Sequence, residues 1–335
     1  MQVFSHSNAS HRQQLSVFTD ESPLQFLPAF TLFNETYFKS SLSIFFSENS
    51  QSYMPIKVWG NSILKFGQIQ HAPLKNNVEL DAEGQVTFYD ELISFCKSSN
   101  IIGRFIQPHP YAILKSVPAK SRYCHFGTYI VDLQNQTEEE ILNRFKKNYI
   151  TEIKQTESRG AVCKFGFEYL SDFYACYKNT MLKAGKSVDD IEYFKNLYKY
   201  FGDENITVGV VYENENPIGS LFVIHTKYTA LYTHAGTLGE TKLSGRMKYL
   251  IWECIKRLKK NGVKKFDFVG VRINSKDESL QGIFNFKKGF GGDLKEGFLW
   301  KMDLNPVKTS VYDLLLKMRK PSASFKDIID QENNS

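Results

Sequence analysis

Two adjacent lysines stand in a stretch rich in glycine and phenylalanine, GIFNFKKGFGG, from Gly282 to Gly292. A short helix that ends in glycines would hold Lys287 and Lys288 at a rigid position, with the phenylalanines as anchors. A lysine fixed in this way can neutralise charge that develops on a carbonyl oxygen during acyl transfer, or grip a phosphate. The residues fit equally well a helix end whose lysines complement the helix dipole and whose aromatics lie in the core.

Three further side chains in predicted strands are candidates for proton transfer or substrate contact. Asp267 in KFDFV points away from Phe266 and Phe268 by strand alternation, so it either accepts a proton from an amine or caps the following loop. Tyr232 and His234 share one face of the predicted strand TALYTHA and would line a cleft together. Histidine titrates near neutral pH, which makes His234 an acid–base candidate, whereas a lone strand histidine is more often structural.

An anion site is a further candidate at the loop GETKLSGRMK, from Gly239 to Lys248. The loop follows a predicted strand and opens a helix, where free backbone N–H groups and the helix dipole favour an anion. Lys242 and Arg246 add positive charge, and Gly245 allows close approach of the backbone. The spacing Lys242-x-x-Gly245-x-Met247 resembles the Gln/Arg-x-x-Gly-x-Gly/Ala loop that holds the pyrophosphate of coenzyme A in GNAT acyltransferases. Met247 stands where that loop has a small residue. A structural strand-to-helix connection explains the loop equally well.

The composition is that of an ordinary globular protein. With 335 residues, the chain is long enough for two domains, and a net charge of +6 tolerates phosphates or RNA without marking a nucleic-acid tail. The five scattered cysteines form no CxxC pair, which argues against disulfides and against a zinc site. Neither a signal peptide nor a membrane span is visible, so we expect a cytoplasmic protein.

Several enzyme classes are disfavoured because their motifs are missing. The sequence contains no GxxxxGK[ST], HExxH or GxSxG, and no GxGxxG behind a predicted strand. Nucleotide hydrolysis, zinc proteolysis, serine esterase chemistry and a Rossmann dehydrogenase are therefore not expected.

Strands and helices alternate along the first half, and a polar helix leads into the second. The predicted elements are the strands Ser41–Ser47, Pro55–Trp59, Ile63–Ile69, Ile101–Ile106 and Tyr129–Leu133 and the helices Thr87–Lys97 and Glu138–Ser158. We take the last helix, with Gly160 as its C-cap, as the bridge between two lobes. The predicted domains are residues 1–160, residues 161–320 and a polar tail, 321–335.

The second half repeats this order of elements. The predicted strands are Thr207–Tyr212, Gly219–His225, Thr229–Ala235, Lys265–Val269 and Phe298–Leu304, with an amphipathic helix at Arg246–Lys260 and a short one ending near Lys288. Two pairs of similar segments suggest an internal duplication. VDL at Val131–Leu133 matches MDL at Met302–Leu304, and the helix around Cys96 matches that around Cys254.

Together these residues resemble a known family. The pattern GI-x-x-FK-x-x-FG at Gly282–Gly291 is similar to a signature of the FemABX-like transferases, a double-GNAT family. Tyr232-x-His234-x-Gly236, FDFVG at Phe266–Gly270, TYIVDL and SPLQFLPAF fit the same family. The resemblance implies an α/β (α+β) fold of two tandem GNAT-like lobes, each a mixed central sheet flanked by helices.

The resemblance also implies roles for individual residues. Lys287 would assist the transition state or contact the donor, with Asp267 and His234 as further catalytic candidates. Thr180-x-x-Lys183 falls where family members often carry Thr-x-x-Arg, a contact to the acceptor's phosphates, and the lysine lacks bidentate geometry. We expect substrate contacts from Lys183, Tyr232, Phe286, Lys242, Gly245 and Arg246, and no metal site.

Three functions follow as hypotheses. The first is aminoacyl transfer from aminoacyl-tRNA to an amine of a UDP- or lipid-linked cell-envelope precursor, such as a peptidoglycan stem peptide. The second is acyl-CoA-dependent N-acylation of an amino sugar or polysaccharide precursor, and the third is a non-catalytic double-GNAT binding protein. We expect no DNA partner and no tightly bound cofactor, with aminoacyl-tRNA or acyl-CoA as the donor co-substrate. A lipid-linked acceptor would bring the protein into peripheral contact with the inner membrane.

Overall fold

A computed structural model describes residues 1–273, 275–319 and 326–333. Its strands are β1 (Gln2–Phe4), β2 (Ser41–Ser47), β3 (Ser52–Gly60), β4 (Lys65–Ile69), β5 (Leu74–Lys75), β6 (Val78–Glu79), β7 (Arg104–Phe105), β8 (Arg122–Asp132), β9 (Val162–Phe165), β10 (Ile206–Glu213), β11 (Asn216–His225), β12 (Ala230–Thr237), β13 (Lys265–Asp267) and β14 (Asp293–Asp303). Its α-helices are α1 (Arg12–Leu15), α2 (Pro28–Tyr37), α3 (Ala82–Ser99), α4 (Glu138–Asn143), α5 (Lys147–Ser158), α6 (Leu170–Lys183), α7 (Ile191–Asn205), α8 (Arg246–Lys260), α9 (Glu278–Lys288), α10 (Pro306–Arg319) and α11 (Ile328–Glu332).

The strands form one large mixed sheet. The order across it is β1-β2-β3-β4-β7-β14-β8-β13-β12-β11-β10-β9, and the small β5–β6 hairpin attaches to β3. Two neighbouring pairs are parallel, β4 with β7 and β12 with β13. Parallel neighbours need a crossover connection, which α3 provides for the first pair and α8 for the second.

The same unit of three antiparallel strands, a helix and a parallel strand therefore occurs twice. Cys96 lies in α3 and Cys254 in α8, so the two helices that echo each other in sequence occupy equivalent places. VDL and MDL fall at the ends of β8 and β14, which follow the two parallel pairs. These last strands are exchanged, because β8 pairs with β13 of the second unit and β14 pairs with β7 of the first.

Helices cover both faces of the sheet. Successive strand residues point to opposite faces, and apolar side chains lie on each face, so each face packs against helices. In β11, Leu221 and Val223 join the core beneath α5 and α8, whereas Phe222 and Ile224 join the core beneath α2, α6 and α7. A third core lies between α3 and the strands of the first unit. On α8, five fully buried side chains recur at helical spacing: Leu250, Ile251, Cys254, Ile255 and Leu258. Burial of each leucine and isoleucine among them stabilises the fold by about 1.5–3 kcal/mol.

Local sequence predicts many of these elements well. The bounds of β2 and α8 are those expected, and the hairpin between β10 and β11 turns at Asn214 and Glu215, both left-handed with φ of 48° and 64°. The strand expected at Lys265–Val269 ends earlier, at Asp267, because Val269 is left-handed. Helices α2, α6, α7 and α10 were not anticipated from the sequence. The domain boundary at residue 160 stays a prediction.

The single helix predicted over Glu138–Ser158 is wrong. The chain forms α4 and α5 with a break at Arg144–Lys146. At the break, the backbone N–H of Lys146 donates to the carbonyl of Gly289 at 2.9 Å, and the Phe145 ring packs on Phe290 with centroids 5.2 Å apart. The contact with the end of α9 thus replaces the helical hydrogen bond. Of the predicted tail, residues 321–325 and 334–335 lie outside the described residues, and α11 docks on β8 through the buried Ile329.

Candidate active site

Strands β12 and β13 separate soon after they begin to pair. Their parallel pairing covers only Ala230 with Phe266 and Leu231 with Asp267. Beyond Leu231, the described part of β12 has no partner strand on the β13 side. The carboxyl ends of parallel strands are a frequent position for a ligand site, because the chain opens a crevice there.

A strained turn follows β13 at this crevice. Val269 has a φ of 50° and Gly270 a φ of 70°, and a left-handed conformation is unfavourable for a β-branched residue. Two side chains, the buried Asp267 and the half-buried Lys287, hold the turn. Asp267 Oδ1 accepts from the Val269 N–H at 2.7 Å, and Lys287 Nζ donates to the carbonyls of Val269 and Gly270, both at 2.7 Å. Strained backbone held by specific contacts is typical of functional sites.

Lys287, the predicted catalytic lysine, lies behind this turn. It stands in the last turn of α9, and burial lowers its pKa to about 8, while the nearby Asp267 favours the charged form. Burial in turn raises the pKa of Asp267, against the hydrogen bonds from Thr128 Oγ1 at 2.5 Å and from Val269. The structure therefore brings Lys287 and Asp267 together at one turn of the backbone.

A cavity of about 370 Å³ lies on the other side of Val269. We call it the central cavity, because both halves of the chain line it. The first half contributes Lys57, His109 and Tyr111, and the second contributes Asp189, Tyr193, Thr233, His234 and Val269. Its size falls in the range of small-molecule sites, and its mixture of aromatic and few polar groups is typical of them.

His234 faces the central cavity beside a carboxylate. Its Nε2 lies 3.5 Å from Asp189 Oδ2, and its Nδ1 lies 3.0 Å from Thr233 Oγ1. The interaction with His234 is the main reason why the pKa of Asp189 is lowered, with the Tyr177 hydroxyl adding a hydrogen bond at 2.7 Å. A histidine oriented by a carboxylate can accept a proton from a nucleophile.

Lys57 and His109 are functional candidates that the sequence analysis missed. Burial lowers the pKa of Lys57 to about 8, and its Nζ stands 3.7 Å from the centroid of the Phe38 ring. Burial lowers the pKa of His109 to about 3, with smaller contributions from Lys57 and His234, and its buried Nδ1 has no hydrogen-bond partner among the described residues. The lysine in the otherwise apolar PIKVW was the one available signal.

A second cavity, of about 380 Å³, adjoins the first. We call it the lysine-rim cavity after Lys115, Lys265 and Lys295, which line it together with Asp267. Tyr111 and Leu231 line both cavities, so these two side chains form a shared wall. Asp267 and His234, two of the predicted catalytic residues, thus belong to neighbouring cavities rather than to one.

Tyr232 and His234 do not share a face, contrary to expectation. The register of β12 on β11 shifts, since Val223 pairs with Tyr232 and Phe222 with His234, which leaves Thr233 as an extra residue. A β-bulge of this kind reverses the alternation beyond it. Tyr232 consequently packs on Phe266 and Phe268 in the core beneath α8, and only His234 reaches the central cavity.

The other expected substrate contacts lie outside both cavities. Phe286 packs against Tyr149 and Phe290 in the core, and Lys183 is exposed at the end of α6. A Cβ on Gly245 would fall on the carbonyl oxygen of Glu152 and 2.6 Å from Thr156 Oγ1 in α5, so helix packing accounts for this glycine. Lys242 beside it is exposed and Arg246 is half-buried. The substrate roles of these residues stay predictions.

The repeated units and the crevice between diverging parallel strands are those of a tandem GNAT-like protein. The chain is similar to FemX, with a TM-score of 0.67 at 13% identity over 94% of this chain and 99% of that chain. It is also similar to a tandem GNAT protein from the clavulanic acid biosynthesis pathway, with a TM-score of 0.50 at 7% identity over 90% and 97%. The C-terminal domain of a protein described as a lysylphosphatidylglycerol synthetase, from Agrobacterium fabrum, gives 0.53 at 11% over 92% and 97%. These likenesses confirm the predicted tandem fold.

The sequence places the chain within one family. The FemAB family matches residues 125–214 and 207–317, which together span more than half of the chain. The chain belongs to the FemAB family, and the resemblance carried by GIFNFKKGFGG is thereby confirmed. Among curated proteins, none matches the sequence. Within the described residues, no helix combines the length and hydropathy that crossing a membrane requires.

Proposed function

We propose that this protein transfers an aminoacyl group from aminoacyl-tRNA to an amine of a cell-envelope precursor, with the central cavity as the acceptor site. Membership of the FemAB family supports the transferase class. The observation that carries the proposal is the His234–Asp189 pair in a cavity at the divergence of β12 and β13. Both substrates and the transfer would be cytoplasmic, where aminoacyl-tRNA and UDP-linked precursors are made.

The reaction joins an amine to an ester carbonyl. The amine nitrogen attacks the carbonyl carbon, a C–N bond forms, and the C–O bond to the ribose breaks. The ribose oxygen leaves and takes up the proton that the amine loses. We assign the role of proton acceptor to His234, whose Nε2 lies 3.5 Å from Asp189 Oδ2. General-base assistance of this kind contributes about 10²–10⁴-fold to the rate. No enzyme nucleophile is needed, because the donor ester is already activated.

Two other features of the site suit this chemistry. The backbone of β12 past Leu231 lacks a β13 partner. We assign the N–H groups on that side to a developing oxyanion, apart from that of Thr237, which donates to Thr180 Oγ1 at 2.8 Å. Lys57 offers a half-buried positive charge without an ion-pair partner among the described residues, as an anionic acceptor requires. The Lys287 ammonium supports the reaction through the Val269–Gly270 turn, whose valine lines the cavity.

A reconstituted transfer assay with labelled aminoacyl-tRNA and a UDP-linked muropeptide tests the proposal. We expect His234→Gln to lower kcat by at least 100-fold, because the amine loses its proton acceptor. His125→Gln is the matched control, since His125 is exposed and lies outside both cavities. Transfer at wild-type rate by His234→Gln, or equal losses in the two variants, would overturn the role of the histidine.

Acyl-CoA-dependent N-acylation is the competing hypothesis for the same fold. It requires a pyrophosphate grip at the start of α8, but there Gly245 packs directly on α5. Replacing aminoacyl-tRNA with acetyl-CoA in the assay, with an amino sugar as acceptor, separates the two hypotheses. Product from acetyl-CoA alone would favour the second hypothesis, and absence of transfer from either donor would favour a non-catalytic binding protein.

A further inference from the structure

Helix α10 carries an apolar stripe on its solvent side. Six of its large apolar side chains are 40–74% exposed: Val307, Val311, Leu314, Leu315, Leu316 and Met318. No other described helix or strand carries more than one large apolar side chain in the exposed class. All of the six except Leu316 recur at intervals of three or four residues, so they lie on one side of the helix. We call these five residues the α10 stripe.

The opposite side of α10 holds the helix on the sheet. Thr309 is buried, and the Tyr312 ring packs on Phe66 with centroids 5.2 Å apart. Asp313 Oδ2 lies 2.7 Å from Arg104 Nη2. These contacts fix the orientation of the helix, so the α10 stripe points away from the protein. A contiguous apolar patch of this kind is typical of a surface that contacts another protein or a membrane.

Three lysines lie near the start of the α10 stripe. Lys308 follows the first stripe residue, and its Nζ lies 3.2 Å from Asn100 Oδ1 at the end of α3. This contact brings the last turn of α3, with the exposed Lys97, close to the helix. Lys65 is exposed at the start of β4, where its carbonyl accepts from the Gly103 N–H. The Gly103 carbonyl in turn accepts from the backbone just before α10.

The positive charges of these lysines are not neutralised within the described part of the chain. None of the three forms an ion pair there. The acidic residues before and within α10, Asp303 and Asp313, both pair with Arg104, at 2.6 and 2.7 Å. The α10 stripe therefore has a positively charged margin, as amphipathic helices on an anionic lipid surface commonly have.

We propose that the α10 stripe and its three lysines dock the protein on the surface of a membrane that contains anionic phospholipids. The stripe consists of valine, leucine and methionine, whereas the residues that dominate binding between proteins are mostly tryptophan, tyrosine and arginine. A second copy of the chain fits less well, because two-fold pairing of the stripe would bring like-charged margins together. The inference goes beyond the proposed function and depends on neither the donor nor the acceptor.

Co-sedimentation of the full-length protein with lipid vesicles tests the inference. We expect binding to an equimolar mixture of phosphatidylcholine and phosphatidylglycerol, and binding at least tenfold weaker to phosphatidylcholine alone. Leu314→Ser/Met318→Ser should bind the mixed vesicles at least tenfold more weakly, because two side chains no longer enter the lipid. Lys65→Gln/Lys308→Gln should weaken binding to the mixed vesicles by about 25-fold, at about fivefold for each lysine, and leave binding to phosphatidylcholine unchanged.

The matched control is Val17→Ser/Leu182→Ser, which removes two apolar side chains of 57% and 60% exposure outside α10. Equal losses of vesicle binding in the control and the stripe variant would overturn the inference, as would a wild-type protein that does not bind the mixed vesicles. Light scattering tests the other occupant. A wild-type dimer that Leu314→Ser/Met318→Ser converts to a monomer would assign the stripe to a second copy instead.

Equal urea unfolding midpoints of the wild type and the three double variants check that each protein is folded. The vesicle assay contains neither tRNA nor muropeptide, so its failure leaves the transferase proposal standing. Conversely, absence of aminoacyl transfer in the reconstituted assay leaves the membrane surface standing.

Discussion

Two glycines of GIFNFKKGFGG should respond in opposite ways to the same substitution. Gly291 has a φ of 66°, and a Cβ there would fall on the carbonyl oxygen of Arg144, at the break between α4 and α5. Gly282 lies inside α9, with φ in the ordinary range and no atom within 4 Å of the added carbon. Only the first glycine is therefore required by the structure.

The magnitudes follow from these two environments. For Gly291→Ala, the left-handed conformation costs roughly 1–2 kcal/mol and the backbone clash about 1–3 kcal/mol, which adds up to about 2–5 kcal/mol. For Gly282→Ala, the better helix propensity of alanine stabilises the folded state by about 0.8–1 kcal/mol. Since a folded protein is stable by only about 5–15 kcal/mol, the first change removes a large fraction of the total.

Urea unfolding followed by tryptophan fluorescence provides the assay. Trp252 is a suitable reporter, because its ring packs on Phe145, next to Arg144, with centroids 5.5 Å apart. We expect the midpoint of Gly291→Ala to fall and that of Gly282→Ala to rise relative to wild type. If Gly291→Ala unfolds at the wild-type midpoint or above it, the packing of the α9 end on Arg144 is misassigned.

Three further predictions concern the Val269–Gly270 turn, the half-buried Lys57 and the start of α8. Lys287→Met should lower kcat at least tenfold and speed hydrogen exchange of the Val269 amide, because both carbonyls of the turn lose their hydrogen-bond donor. Lys288→Met, at an exposed position, should change neither quantity. Unchanged hydrogen exchange in Lys287→Met would contradict this role of Lys287. Burial depresses the pKa of Lys57 to about 8, so its charge is present below that pH and lost above it. Muropeptide binding, measured by calorimetry, should therefore weaken as the pH rises through 8 in the wild type but not in Lys57→Met. The same pH dependence of muropeptide affinity in both proteins would exclude Lys57 as the anion contact. Gly245→Ala should destabilise the protein by about 1–3 kcal/mol, because the added Cβ clashes with the Glu152 carbonyl. Ser244→Ala, at the neighbouring exposed position, is the control. Equal thermal unfolding midpoints of the two variants would show that α5 and α8 do not pack as closely as described.

Local patterns in the sequence determine much of the fold. The apolar stripe of Arg246–Lys260 and the turn at Asn214 and Glu215 depend on neighbours within a few residues, and both were predicted. The break at Lys146 was not, because its backbone bonds to Gly289, on a segment distant in the sequence.

The candidate site was harder to predict than the fold. GIFNFKKGFGG identified Lys287 through its family resemblance, but its contacts with the carbonyls of Val269 and Gly270 depend on a turn that no local motif announces. One extra residue, Thr233, moved Tyr232 away from the cleft that it was expected to share with His234. Lys57 and His109 become candidates for the site only in the folded protein, where they line the central cavity together with residues of the second half of the chain.

The exchange of β8 and β14 has a consequence for the biogenesis of the protein. Strand β8 is complete at residue 132, yet its long partner β14 ends only at residue 303, close to the end of the chain. At a ribosomal speed of about 5–20 residues per second, the β14 side of β8 waits on the order of 10–30 s for its partner. During that interval the nascent chain exposes an open strand edge, to which chaperones or other unfolded chains can bind. Stop codons or truncations anywhere before residue 293 should thus yield insoluble fragments rather than a working first lobe.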